Sequence, residues 1–242
     1  MSVFGIVARA ASIGFLISQF AACVDAADET ERNILDGVLI STKEPALGIE
    51  VVRPFAFLGR HPVVVGEVGA GERFVFVDAD NEVVRRLLIV QFEGFLPGVD
   101  DFFRYDLSGK PVVAKYAFRS NGYAFDMAES VSRNPAGEAA ATNTFLESKG
   151  YEVPRYWMMW RSLTIADEAK KKEVIIFYVE DAESIGLTLA DLYRDDSPTD
   201  AWLNIQRELE VRANGSFRLA EIDKTGRIDA STWSSIPSTV MQ

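Results

Sequence analysis

The stretch from Glu72 to Leu96, ERFVFVDADNEVVRRLLIVQFEGFL, constrains the fold more than any other part of the chain. Two β-rich runs, Arg73 to Val77 and Val83 to Glu93, flank the polar loop Asp78-Ala79-Asp80-Asn81-Glu82. That pattern predicts an antiparallel hairpin. Alternation puts Val84, Arg86, Leu88, Val90 and Phe92 on one side of its second strand, a face fit for a core. Arg85, Leu87, Ile89, Gln91 and Glu93 fall on the other, where mixed aliphatic and polar groups suit a half-solvated face or a cavity wall. A charge at Val90 is therefore expected to destabilise more than Gln91→Ala.

The chain has 242 residues, 48% hydrophobic and 25% charged, enough for one large domain with a sizeable core. A net charge of -11 argues against an unaided nucleic-acid or anionic-membrane binder, because both surfaces demand a basic footprint. One cysteine and one histidine are too few for the common zinc sites and exclude an internal disulfide. No cofactor is expected.

Residues 1–26 read as an export signal. Arg9 supplies the basic start, Ala10 to Ala22 the apolar middle, and Val24-Asp25-Ala26 a small-residue cleavage pattern. Cys23 after Ala21-Ala22 also fits lipoprotein processing, and a retained anchor or an ordinary amphipathic helix are further readings. The expected location is exported, either periplasmic or anchored to the membrane through Cys23. Without residues 1–26 the body keeps its charge and has no cysteine, which suits an oxidising compartment.

The remainder predicts mostly strands. Ala27 to Gly37 reads as a helical turn or the tail of the leader, followed by strands at Val38 to Ile40 and Ile49 to Leu58, the second interrupted by Pro54. Turns are expected at Gly59-Arg60-His61-Pro62 and at Gly69-Ala70-Gly71, with Val63 to Val65 extended between them. Beyond the hairpin, Phe95, Phe102, Phe103 and Tyr105 are too apolar for a solvated loop and are expected to cap the core. A strand at Val112 to Phe118 ends at Asn121-Gly122, and a helix runs from Ala136 to Lys149 behind the cap Asn134. Tyr156 to Ile165 is read as a strand in preference to a helix because Thr164 and Ile165 are β-branched. Glu173 to Glu180 is a central strand, apolar on both faces. Ser197 caps a last helix from Pro198 to Arg212, and Phe217 to Ile222 adds a final strand. The fold class is α+β, a curved antiparallel sheet with helices packed mainly on one face, formed by residues 27–242 as one domain.

Catalytic signatures are sparse. His61 lies in a predicted turn with no G-x-S-x-G elbow anywhere in the chain. The acids Asp78, Asp80 and Glu82, like those between Glu221 and Asp229, read as turns, since Thr232 stands where a calcium loop needs its bidentate Glu. Gly66, Gly69 and Gly71 lack the Lys-Ser/Thr pair and the helix of a phosphate loop. Trp157 to Trp160 is either core or the wall of a ligand site. If a ligand binds, the expected lining is Arg85, Gln91, Trp157 and Arg161, a combination of apolar surface and arginines that favours a small anionic or amphipathic molecule. The predicted role is an exported, non-catalytic binding or interaction domain with a ligand or a protein partner. The alternative is an enzyme working through carboxylate, Tyr or Lys acid–base chemistry, which an enclosed pocket with two converging acids would favour, whereas a filled sheet interior would favour the first reading.

Overall fold

The structure is a computed structural model that describes residues 31–223 and 225–238. The export segment, Cys23 and the Val24-Asp25-Ala26 site lie outside the described residues. The strands open with β1 (Arg32–Leu35), β2 (Val38–Ser41) and β3 (Leu47–Val51). Next come β4 (Ala56–Val65), β5 (Gly69–Asp80), β6 (Val83–Phe95), the small hairpin β7 (Val112–Val113) with β8 (Tyr116–Ala117), and β9 (Arg119–Asp126). Two helices follow, α1 (Met127–Arg133) and α2 (Glu138–Ser148), before β10 (Tyr156–Ile165) and β11 (Lys172–Asp181). The chain then adds α3 (Leu189–Leu192), the small pair β12 (Tyr193–Arg194) and β13 (Ser197–Pro198), α4 (Asp200–Asn214) and β14 (Phe217–Glu221).

An antiparallel six-stranded sheet in the order β4-β5-β6-β11-β10-β9 is the centre of the molecule, and a four-stranded sheet β1-β2-β3-β14 stands beside it. The predicted hairpin is β5 with β6, turning at Asn81 and Glu82, whose φ angles of 49° and 69° give the mirror-image turn that matches strand twist. Both strands run longer than their apolar runs. Gly69-Ala70-Gly71 is the start of β5 rather than a turn. A Cβ at Gly71 would stand 2.2 Å from the Phe92 carbonyl oxygen, so that glycine lets β6 come close.

The register slips between Asp78 and Ala79, with Asp78 opposite Arg86 and Ala79 opposite Val84, leaving Arg85 as the extra residue of a bulge. The bulge reverses the alternation, so Val84 joins Leu87 and Ile89, not Leu88 and Val90. A second bulge between Phe57 and Gly59 keeps β4 continuous through the predicted turn Gly59-Arg60-His61-Pro62. Gly59 takes φ +148° there, a conformation for which glycine is suited. Arg32–Leu35 is a strand instead of a helical turn, and β9 runs straight through Asn121-Gly122. The helices start later than predicted, with Gly137 and Thr199 as N-caps, and α1 lies before α2 with Asn134 as its C-cap.

Each face of the six-stranded sheet carries its own core. Phe74, Leu88, Val90, Ile176 and Trp160 pack with Leu47, Ile49 and Leu219 of the smaller sheet and with Trp202 and Leu209 of α4. Val75, Leu87, Ile89, Phe177 and Trp157 pack with Met127 of α1 and Leu146 of α2. The helices are therefore divided between the two faces, because β6, β10 and β11 bury both of theirs and each needs cover. Arg212 donates to both Glu180 oxygens at 2.7 and 2.8 Å, fixing α4 to β11, and the Arg32–Glu72 pair at 2.9 Å joins the two sheets. Among the described residues no helix is long and apolar enough to cross a membrane.

Candidate functional site

Two adjacent rows of the α2 side of the large sheet are polar although the surrounding rows are aliphatic. One reads His61, Arg73, Gln91, Ile175, Leu163 across β4, β5, β6, β11 and β10. Next to it come Val63, Gly71, Glu93, Glu173 and Ile165. Gln91 is fully buried and Glu173 is 2% exposed, so this is interior, not a half-solvated face.

Helix α2 covers Arg73. Its guanidinium donates to the Glu138 carboxylate at 2.8 Å, to the Glu138 carbonyl at 2.9 Å and to Thr142 Oγ1 at 2.7 Å, and through Nε to Gln91 Oε1. Gln91 Nε2 in turn donates to Glu138 Oε1 at 2.5 Å and to Glu93. His61 Nδ1 donates to the Pro62 carbonyl at 3.0 Å, which leaves Nε2 as the acceptor facing Thr142 Oγ1 at 3.4 Å. Burial lowers the pKa of the His61 ring from its ordinary value, the bond to the Pro62 carbonyl opposes this, and the Arg73 charge adds to the lowering.

Glu93 and Glu173 are in-register partners on β6 and β11. Burial is the first cause that raises both, and for Glu173 the hydrogen bond and the charge of Glu93 add to it, up to about 9. Near neutrality the pair therefore holds a proton, as two carboxyl groups in one low-dielectric site must. Glu173 Oε2 has no hydrogen-bond partner. Tyr105 packs against the same core, its hydroxyl raised first by burial and then by the charge of Glu173. It closes an aromatic column with Phe103, stacked at 5.8 Å, and Phe95, 4.8 Å from Phe103. Of the four rings expected to cap the core, Tyr105 packs against it and Phe95 and Phe103 are half-buried, but Phe102 is 44% exposed and does not.

The four residues expected to line a ligand site share this side of the sheet but are not gathered. Arg85, lifted by the bulge, donates to Asp181 at 3.1 Å, and Trp157 is fully buried in the row of Asp181. Gln91 lies six residues along β6 from Arg85, roughly 20 Å of strand, with buried Leu87 and Ile89 between. Arg161 donates to Asn121 Oδ1 at 3.2 and 3.1 Å and helps lower Glu173, so it borders the polar rows. Gln91 and Arg161 thus belong with the acid pair, and Arg85 and Trp157 do not. Sequence reading missed Arg73, Glu138, Glu93 and Glu173 as one unit. Glu93 and Glu173, each ending an otherwise apolar strand, were the available signal.

A groove of about 380 Å³ runs between α2 and β4, lined by His61, Pro62, Gly137, Ala140, Ala141 and Phe145 among others. Beside it β4 is the last strand of its sheet, and Phe57 and Val64 on it are 43% and 61% exposed. Among the described residues no three His, Cys, Asp or Glu side chains are arranged to hold a metal ion. No family model matches the chain, and comparison with curated proteins and with solved structures gave no match.

Proposed function

We propose that this is an exported, non-catalytic interaction domain that meets an extended partner segment along β4. The observation that carries the reading is the open edge itself: ten residues of strand, paired on one side only among the described residues, with exposed Phe57 and Val64 and a small-residue groove alongside. An unpaired edge offers a ladder of backbone donors and acceptors, and a groove beside it accepts alternate side chains. The two filled cores favour the same reading, since they leave the flat surfaces of the sheet to the protein's own elements. Export rests on the signal-like residues 1–26.

Site-specific photo-crosslinking in the native host tests it. A crosslinker at position 64 is expected to give a defined adduct, one at the exposed Glu129 of α1 none, and Phe57→Lys is expected to abolish the adduct. Adducts of equal yield at both positions, or none at 64, would overturn the reading.

The cross-strand Glu93–Glu173 pair favours a second reading, acid–base chemistry, because a protonated carboxyl beside an ionised one is the equipment of a general acid and base. The burial of Glu173 at 2% exposure weighs against it. Retained crosslinking in Glu173→Gln separates the two, since an interaction edge does not need that carboxyl.

A further inference from the structure

One end of the large sheet gathers exposed apolar side chains around the point where the chain enters the structure. The entry is fixed by Glu31, whose carbonyl accepts from Thr42 N–H at 2.9 Å and whose carboxylate pairs with Lys43. Next to it, Glu44 accepts from Arg32 on its carbonyl at 3.2 Å and from Lys172 on its carboxylate at 2.7 Å. Lys172 lies opposite Gly94 at the end of β6. From there Phe95 N–H donates to the Lys171 carbonyl at 3.0 Å, Leu96 N–H to the Val68 carbonyl at 2.8 Å and Phe103 N–H to the Lys170 carbonyl at 2.8 Å. Ala46 N–H donates to the Tyr116 hydroxyl at 3.1 Å, which brings in the β7–β8 hairpin. Val68, Leu96, Phe102 and Val112 on these segments are 45%, 40%, 44% and 66% exposed.

We propose that this end of the sheet rests on the surface of a zwitterionic phospholipid membrane to which residues 1–23 tether the body. The proposal rests on the export reading and takes the leader as retained or lipidated at Cys23. The length of chain before the structure sets the geometry. Seven residues, 24 to 30, separate Cys23 from Glu31, and a fully extended chain of that length spans about 25 Å at most. A body held so closely presents its entry end to the bilayer, while the β5–β6 turn at Asn81 and Glu82 stands roughly 35 Å away along β5. The four apolar side chains come from separate segments at strand ends, an arrangement that meets a flat surface rather than a single strand, and such a patch gains by leaving water for the lipid interface. Charge fits the same partner. Most of the chain's lysines, Lys43, Lys110, Lys115 and Lys170 to Lys172, fall at this end among the acids Glu67, Asp100 and Glu168. Mixed signs suit headgroups that carry a phosphate and an amine, whereas the net charge of -11 opposes an anionic surface.

Photo-crosslinking of the full chain in the native host tests this, with each adduct identified by mass spectrometry as lipid or protein. A crosslinker at position 96 or 112 is expected to give zwitterionic phospholipid adducts at least tenfold above one at Glu82, at the far end of the same sheet. Leu96→Asp combined with Phe102→Asp is expected to cut the lipid adduct at 112 at least fivefold, with an unchanged near-ultraviolet circular dichroism spectrum showing that the fold survives. The comparison of 96 with 82 decides the matter even if that variant fails to fold. Lipid adducts of equal yield at 96 and 82, protein or exclusively anionic-lipid adducts at 96 and 112, or a native chain that begins at Ala27 and leaves the membrane would each overturn the proposal. The reading it rests on fails in other ways, by a chain that stays in the cytoplasm or by no protein adduct at position 64.

Discussion

At the residue scale, Glu173 governs how stability varies with pH. Its folded-state pKa lies far above the ordinary 4.5 and that of Glu93 is raised too, so between about 4.5 and about 9 the folded protein holds protons that the unfolded chain has released. Stability is therefore greatest below that window and falls as pH rises through it, by up to about 1.4 kcal/mol per pH unit for each proton retained. Urea unfolding at a series of pH values should show this slope in the wild type and a much flatter profile in Glu173→Gln. A profile that rises across the same window would mean that the pair is ionised when folded. Gln91 teaches a related lesson. Its polarity alone makes it read as half-solvated, but its amide bridges Arg73, Glu93 and Glu138, and α2 covers it. Removing it leaves the buried Arg73 Nε–H without its acceptor, so Gln91→Ala should cost about 1–3 kcal/mol, close to a core substitution and not clearly below one.

Among the elements, the β5–β6 hairpin depends on Gly71 as much as on its apolar residues. Any side chain there meets the backbone of β6, so Gly71→Val should destabilise by about 2 kcal/mol or more, measured by denaturant unfolding, whereas Ala70→Val next to it should be mild. Equal effects would mean that the strands are farther apart than described. The hairpin, β10 and β11 were legible in the sequence because their apolar residues and β-branching are local signals. Strand β4 was not, since Gly59 and Pro62 signal a turn, while pairing with β5 and a bulge at Gly59 carry the strand through both. Val84 went to the wrong face for a similar reason: an added residue at Arg85 shifts the alternation, and nothing local marks it. The acid pair needs partners eighty residues apart in the chain, and no spacing rule reaches that far.

For the whole molecule, two cores on one sheet determine which surfaces remain. The α2 side is closed by α1, α2 and the aromatic segment, and the other side by the smaller sheet and α4; among the described residues the edges of the large sheet that stay unpaired are β4, the longer, and β9, and the proposed partner lies on β4. Helices on both sides follow from strands that are apolar on both faces, a demand that the sequence of β11 already carries. The most direct measurement is residue-resolved amide hydrogen exchange on the free protein. Amides of β6 and β11 should exchange only with global unfolding, and those of β4 that point away from β5 should exchange orders of magnitude faster, as an unpaired edge must. Protection of the outward β4 amides equal to that of β6 would contradict the account, because the edge would then already be covered.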